Sequence, residues 1–293
     1  MAPRTLALLA LFIVNLLYGI NYVVAKGLMP AAIGPSGFIL LRVLGAVVLF
    51  WGAWALRPER VRWSDALRLL LCAVTGVAMN QLMFFHGLMR TSALHASIIM
   101  VVTPILVLVM SAVLIGERVG PAKAGGVALG ALGALALILS GGRDGQGSTV
   151  LGDLCILVNA TSFAIYLVMV KPLMMRYGAV TVMAWTFLIG AVLVLPFGAG
   201  ELLAVDWRGL SARELWAMAY VVVGVTFVAY LLNTWALRHV QPGVVGTFIY
   251  LQPVLAAMST LMIGGAMPAG PWSWAAMAVI FLGVHLVTRR DAV

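Results

Sequence analysis

The amino-acid sequence predicts an all-α integral membrane protein with ten transmembrane helices, arranged as two inverted five-helix repeats. Three observations favour this fold class. Hydrophobic residues make up 63% of the 293 positions and charged residues only 9%, whereas about a quarter of the residues in a soluble domain are charged. Long apolar stretches follow one another along the whole chain, and its two halves repeat one pattern.

Ten apolar stretches are long enough to cross a membrane as helices, since a crossing needs roughly 20 residues. Only helices and closed β-barrels satisfy all backbone hydrogen bonds within the lipid bilayer. Apolar stretches of this length favour helices. Most connections are short, so we expect no separate soluble domain. The predicted spans are 6–27, 35–56, 66–89, 93–115, 121–139, 151–171, 179–203, 212–237, 243–264 and 271–288.

The repeated pattern is clearest in two segments, 76–117 and 224–266. They open with GVAMNQLMFFHGLMR and GVTFVAYLLNTWALR, and a proline follows in each, Pro104 or Pro253. This correspondence indicates a tandem duplication.

The predicted repeat units are residues 1–145 and 146–293, with five spans each. A unit with an odd number of spans begins and ends on opposite sides of the membrane, so its second copy must be inverted. Inverted repeats are typical of secondary transporters.

The basic residues predict the orientation of the chain. With the N-terminus inside, twelve Lys and Arg lie at the cytoplasmic side, five lie outside, and Arg42 alone lies within a span. Cytoplasmic connections carry such an excess, so both termini are predicted to be cytoplasmic. The net charge of +9 follows from this topology, and no nucleic-acid partner is expected.

No pattern in the sequence indicates an enzyme. None of His86, His95, His239 and His285 belongs to an HExxH motif, and none has a carboxylate three or four residues away. A phosphate-binding GxxxxGK loop is also missing from the sequence. We therefore expect no metal site, no cofactor and no direct use of ATP.

The acidic residues all lie at predicted span ends or in connections. Proton-coupled carriers usually keep a carboxylate within the membrane. We therefore expect transport to be driven by the gradient of the substrate itself. The membrane histidines and the acids at span ends are the alternative proton carriers.

Neutral polar and aromatic side chains recur within the spans. Such groups are costly against lipid, so they should face partner helices or a water-filled cavity. Hydrogen bonding between helices is the alternative to cavity lining for each of them. The candidates for lining a cavity are Asn15, Tyr18, Asn21, Tyr22, Asn80, Gln81, His86, Asn159, Tyr166, Tyr230, Asn233, Trp235, Tyr250 and Gln252.

Four further residues are candidates for special roles. Arg42 could anchor an anionic group such as a carboxylate, or extend its charged end to the membrane interface. Pro104 and Pro253 are predicted near the middle of two spans, where proline removes a backbone hydrogen bond. Together with Gly19 they are candidate hinges of a gate, and static bends are the alternative. Small residues in the fifth and tenth spans predict close packing, at the periphery or in a homodimer.

The chain resembles the EamA-type exporters of the drug/metabolite transporter superfamily. LLYGINYVVAK is similar to the WGxNF-type signature of the first helix, with Tyr18 in the Trp position and Gly19 and Asn21 matching. SFAIYLVMVK is similar to the WAxY-type counterpart, with Phe163 for Trp and Tyr166 as expected.

Two further features carry the resemblance. Arg42 falls where the second helix of the family often has Arg, and PILVLVMSAVLIGERVG resembles the family's Pro-to-Gly-Glu stretch. Ala266 departs from the pattern, because the family often keeps a second Glu there.

The resemblance implies a bacterial-type inner-membrane exporter of small metabolites, chiefly amino acids, with ten helices in two inverted repeats. It implies a central cavity built by the first, third, fourth, sixth, eighth and ninth helices, opened to each side in turn. The expected partners are a small-molecule substrate, the lipid bilayer and a second copy of the chain. A flippase or exporter for a lipid-linked or drug-like amphiphile is the alternative.

Overall fold

The computed structural model describes residues 2–90, 99–100, 102–140, 149–252, 254–255, 258 and 271–288. This part of the chain contains helices and no β-strand. We label the helices in chain order as α1 Pro3–Leu28, α2 Pro35–Leu56, α3 Trp63–Leu88, α4 Thr103–Ile115, α5 Pro121–Ser140, α6 Val150–Met174, α7 Ala179–Leu203, α8 Ala212–Ala236, α9 Pro242–Thr247 and α10 Pro271–Thr288.

Six of these helices are long and apolar enough to cross a membrane: α1, α2, α3, α6, α7 and α8. The helix α4 is apolar but shorter. The protein is therefore a multi-pass membrane protein, and ten crossings remain a prediction.

The helix bounds follow the sequence pattern closely. The observed α2, α7 and α10 coincide with the predicted spans 35–56, 179–203 and 271–288. The bounds of α1, α3, α5, α6 and α8 differ from the predicted spans by at most three residues. The described α4 begins at Thr103, and α9 is followed by a 3-10 turn from Phe248 to Tyr250.

Local chemistry fixes several of these helix ends. Pro35 lies in the first turn of α2, where a backbone N–H has no partner within the helix, so its absence removes no helical hydrogen bond. Ser211 and Glu214 form a reciprocal capping box at the start of α8. Gly116 ends α4 with a φ of 66°, a conformation that glycine adopts without strain.

Two helices contain wider π-helical turns, at Val74–Ala78 in α3 and at Val221–Val228 in α8. Such turns are rare and are frequent at functional sites. Each lies in the third helix of one predicted repeat unit.

The helices pack in pairs that join the two halves of the chain. The main pairs are α2 with α7, α5 with α10, α3 with α6 and α1 with α8. The first two depend on close backbone approach: a Cβ at Gly198 of α7 would lie 2.5 Å from the Ser36 carbonyl oxygen, and one at Gly283 of α10 would lie 2.6 Å from the Gly130 nitrogen. These contacts hold the halves together around a shared centre.

Candidate functional site

A cavity lies between the two halves of the molecule. Helices α1, α2, α3, α6 and α8 contribute side chains to it, together with Met100 just before α4 and with Ile249 and Gln252 just after α9. Its volume is about 100 Å³, enough for several water molecules, since roughly 10–15 Å³ holds one. Its lining consists of Tyr18, Asn21, Arg42, Asn80, Gln81, Phe84, Phe85, Met100, Asn159, Phe163, Tyr230, Ile249 and Gln252.

Arg42 provides the positive charge of this cavity. Its side chain is 4% exposed, so it does not extend to a membrane interface, and that alternative is wrong. Its Nε donates to the Thr226 hydroxyl at 3.0 Å, and the guanidinium lies 5.7 and 5.2 Å from the ring centres of Phe38 and Phe85. In the described part of the chain no carboxylate pairs with it.

Three amide side chains bring unsatisfied polar atoms to the cavity. Asn21 Oδ1, Asn159 Oδ1 and both terminal atoms of Gln81 are buried and have no hydrogen-bond partner among the residues described. Asn159 is held in place through Nδ2, which donates to the Asn80 carbonyl at 2.7 Å. The cavity therefore offers three free carbonyl-type acceptors and one amide donor to a ligand.

The remaining wall of the cavity is apolar. Phe84, Phe163, Met100 and Ile249 lie on this wall, and none of them was a predicted site residue. Apolar lining residues are hard to recognise from the sequence, because the rest of each span is apolar too. Their spacing from a polar lining residue is a signal that could have found them. Phe84 and Phe163 each follow a lining asparagine, Asn80 or Asn159, by one helical turn, and so share its face.

The structure places the other predicted residues around the cavity rather than on its lining. Asn15 lies behind it and accepts from Gln252 Nε2 at 3.0 Å. His86 Nε2 lies 2.9 Å from the Ser36 hydroxyl. Asn233 is buried outside the lining. Trp235 packs edge-on against His239 with ring centres 4.7 Å apart.

Two predicted tyrosines also lie outside the lining. The Tyr166 hydroxyl is 3.1 Å from Thr234 Oγ1. Tyr250 packs against Gly130, where an added Cβ would lie 2.2 Å from its ring. The Tyr22 side chain lies outside the described part of the structure.

Two of the three predicted hinges, Pro104 and Gly19, lie in described helices. Pro104 lies in the first turn of α4 as described, where proline removes no helical hydrogen bond, so no kink is seen there. Gly19 lies within the unbroken helix α1. Pro253 lies outside the described residues.

Polar contacts join the two halves of the chain at one end of the bundle, which we call the latched end, defined by Glu59, Asp65, Arg176 and Gly178. Asp65 is 3% exposed. It accepts from Arg176 Nη1 at 2.6 Å and from the Tyr177 hydroxyl at 2.8 Å. Glu59 accepts from the Gly178 amide, at the start of α7, at 2.8 Å. These contacts join the first half of the chain to the second.

Further contacts lie between this end and the cavity. The Tyr230 hydroxyl donates to the Gly76 carbonyl at 3.2 Å. Lys171 Nζ donates to the carbonyl oxygens of Leu237 and Val240. Together with the pair of Tyr166 and Thr234, they join α3, α6 and α8 on the latched side of the cavity.

The other end, which we call the opposite end, is defined by Gly34, Gly37 and Glu201. There Glu201 accepts from the Gly37 amide, in the first turn of α2, at 2.9 Å. A polar cavity of about 480 Å³ lies beside it and is lined in part by Asp206 and Glu214.

Among the residues that the structure describes, no three His, Cys, Asp or Glu side chains lie close enough together to hold a metal ion. The cavity itself carries amide, phenol, guanidinium and apolar groups. Such a set can bind a small polar or zwitterionic molecule, and none of these groups is an obvious nucleophile.

Similar proteins are known. A protein of Archaeoglobus fulgidus named as an uncharacterized transporter is 23% identical over 266 residues, with 90% of each chain covered. A protein of Streptantibioticus cattleyicolor named as a probable terminal-alkyne amino-acid exporter is 26% identical, covering 88% of this chain and 85% of its own. A crystal structure at 20% identity shares the fold with a TM-score of 0.77, covering 96% of this chain and 95% of that chain.

The family comparison covers both halves of the chain. The model of the EamA-like transporter family matches residues 5–139 and again residues 150–289. The chain therefore belongs to the EamA-like transporter family.

Proposed function

We propose that this protein exports small amino acids, or related metabolites with a free carboxylate, through the central cavity. Its family and its relatives point to a small-molecule transporter rather than an enzyme. The observation that carries the substrate class is Arg42, a buried cation at the cavity without a carboxylate partner in the described structure. A buried charge is costly unless it is paired, and a substrate carboxylate would pair it.

The other lining groups complement an amino acid. Asn21 Oδ1, Gln81 Oε1 and Asn159 Oδ1 can accept from an ammonium group, and Phe84 and Phe163 can contact an apolar side chain. The relative named as a probable terminal-alkyne amino-acid exporter supports the same substrate class.

The proposed mechanism is alternating access by two inverted units, residues 1–145 and 146–293. Several observations support it: the family model matches twice, and both third helices have a π-helical turn. The packing pairs also match between the two units, in which each helix has its counterpart five helices further along the chain. The pair of α3 and α6, for example, corresponds to the pair of α8 and α1. Inverted units rock around a fixed central site in many transporters.

The proposed direction is outward across a bacterial-type inner membrane, with both termini cytoplasmic. The latched end would then be the cytoplasmic end, because the arginines of the α2–α3 connection lie there. The described residues of the cavity lining include no carboxylate, which supports transport driven by the substrate gradient. If an imposed pH gradient made transport severalfold faster at a fixed substrate concentration and voltage, the substrate gradient would not be the driving force.

Counterflow in proteoliposomes tests the proposal. The wild type is expected to exchange at least one labelled amino acid and to be inhibited by the free acid much more strongly than by its α-amide. Arg42→Gln should abolish exchange and Arg42→Lys should retain part of it, because Lys keeps the charge but loses the bidentate geometry.

The matched control is Arg57→Gln, which removes an exposed arginine at the end of the same helix and should leave exchange unchanged. Equal inhibition by acid and amide would contradict the carboxylate site. Exchange of an amphiphilic drug or lipid-linked substrate, with no amino acid active in folded protein, would favour the alternative substrate class.

A further inference from the structure

We infer that Thr226 is a positioning residue for substrate recognition: its hydroxyl orients the Arg42 guanidinium so that the terminal amino groups of Arg42 can bind the substrate carboxylate. The inference rests on the proposed function and goes beyond it, because Thr226 does not line the cavity.

The hydrogen bonds of Thr226 assign it this role. The residue is fully buried in the π-helical turn of α8. Its hydroxyl donates to the Val221 carbonyl at 2.8 Å and accepts from Arg42 Nε at 3.0 Å. A hydroxyl has one hydrogen, and Val221 takes it, so the oxygen lone pairs are available to the guanidinium.

Thr226 bonds a more distant carbonyl than threonine does in a regular helix. In regular helices a threonine hydroxyl bonds the carbonyl three or four residues earlier, as Thr161 of α6 does with Leu157 at 2.9 Å. Thr226 instead reaches Val221, five residues earlier. Thr75 also lies in a π-helical turn, that of α3, and among the described residues its hydroxyl bonds only within its own helix, to the Leu71 carbonyl at 2.7 Å. Thr75 is therefore a matched control for Thr226.

Three neighbours together orient Arg42. Phe38 and Phe85 lie 5.7 and 5.2 Å from the guanidinium carbon, and Thr226 holds Nε. The two terminal amino groups of Arg42 have no hydrogen-bond partner within the described structure. Two parallel N–H donors match the two oxygens of a carboxylate, so fixing Nε sets the plane in which the carboxylate must bind.

The test uses the purified full-length protein in detergent. Thermal stabilisation by each of the twenty common amino acids identifies one that binds. Affinities are then measured for that amino acid and for its α-amide, with the wild type, Thr226→Val, Thr226→Ser and Thr75→Val. Melting curves check the folding of each variant, and Thr226→Ala replaces Thr226→Val if the latter does not fold.

The wild type should bind the acid more tightly than the amide. Thr226→Val should weaken acid binding about tenfold with little change for the amide, so the acid-to-amide ratio falls. Thr226→Ser should restore the ratio to within about threefold, since it keeps the hydroxyl, and Thr75→Val should match the wild type.

Two kinds of failure are distinguishable. In the first, the wild type prefers the acid, but folded Thr226→Val keeps that preference or Thr226→Ser loses as much of it as Thr226→Val does. Either result overturns the positioning role, while the proposed function stands. If no amino acid binds the wild type, or the amide binds equally, the carboxylate site itself is overturned and the positioning role with it.

Discussion

The two ends of the bundle share one polar contact and differ in the others. At each end a carboxylate accepts from an amide at the start of the neighbouring helix: Glu59 from Gly178 and Glu201 from Gly37. Each end also has a cavity beside this contact, of about 480 Å³ at the opposite end and about 940 Å³ at the latched end. The latched end adds the buried Asp65 with two further partners, and on these bonds we expect it to be the closed end.

The position of the central cavity leads to the same conclusion. Arg42 lies seven residues after the start of α2 at the opposite end and fourteen before its end at Leu56, or about 10 and 21 Å at 1.5 Å per residue. The pair of Tyr166 and Thr234 occupies the longer path. A ligand would therefore reach the cavity more easily from the opposite end.

The comparison can be tested with a reporter cysteine. Asn21→Cys places a thiol of similar size on the cavity lining, after the native Cys72 and Cys155 have been replaced by alanine. The rate at which a membrane-impermeant maleimide labels this thiol from each membrane face measures access to the cavity.

Asp65→Asn should have the largest effect on access from the latched end. The carboxylate loses its ion pair with the half-exposed Arg176 and its buried bond from the Tyr177 hydroxyl, and a buried bond to a charged group contributes about 1.5–3 kcal/mol. We expect labelling from the latched end to rise about tenfold or more. Unchanged labelling of folded protein would show that Asp65 does not hold this end closed.

Glu59→Gln and Glu201→Gln form a matched pair that should have unequal effects. Both remove the charge from a carboxylate that accepts from a backbone amide, but only Glu59 lies at the closed end. Glu59→Gln should raise labelling from the latched end about fivefold, for a loss of about 1 kcal/mol, and Glu201→Gln should not. An equal increase in labelling by Glu59→Gln and Glu201→Gln would contradict the claim that only the latched end is held closed.

Tyr166→Phe should have a smaller effect. It deletes the hydroxyl that lies 3.1 Å from Thr234 and keeps the ring that packs against Gly76. The loss of one neutral hydrogen bond, roughly 0.5–1.5 kcal/mol, should raise labelling from the latched end about threefold. The control is Tyr220→Phe, because that hydroxyl binds the Leu17 carbonyl elsewhere.

Arg176→Ala should have the smallest effect. The Arg176 side chain is 51% exposed, and solvent screens exposed ion pairs to about 0–1 kcal/mol. Labelling from the latched end should rise less than about threefold, and 0.5 M salt should reduce the difference from the wild type. An effect as large as that of Asp65→Asn would mean that the ion pair, rather than the buried Tyr177 contact, closes this end.

Much of the fold could be predicted from the sequence, because membrane helices need long apolar stretches and short polar connections mark their ends. The bounds of α2, α7 and α10 follow directly from that contrast. The π-helical turns could not be predicted, since Val74–Ala78 and Val221–Val228 have compositions that also suit regular helices.

The candidate site was predictable only in its polar part. Asn21, Asn80 and Asn159 stand out because amides are costly in lipid, and all three line the cavity. Spacing did not reveal which polar residues would bind one another instead, as Tyr166 does with Thr234. That choice depends on contacts between helices far apart in the sequence.

The most direct test of the central claim is the labelling of Asn21→Cys from the two membrane faces, with an otherwise intact latched end. Arg57→Cys, an exposed position at the latched end, identifies which face that end occupies, so the result does not depend on the predicted topology. One membrane face labels Arg57→Cys, and we predict that Asn21→Cys reacts at least about tenfold faster from the other face. A tenfold difference corresponds to a free energy of roughly 1.4 kcal/mol in favour of closure at the latched end. Equal reaction from both faces, or faster reaction from the face of Arg57→Cys, would contradict closure at the latched end.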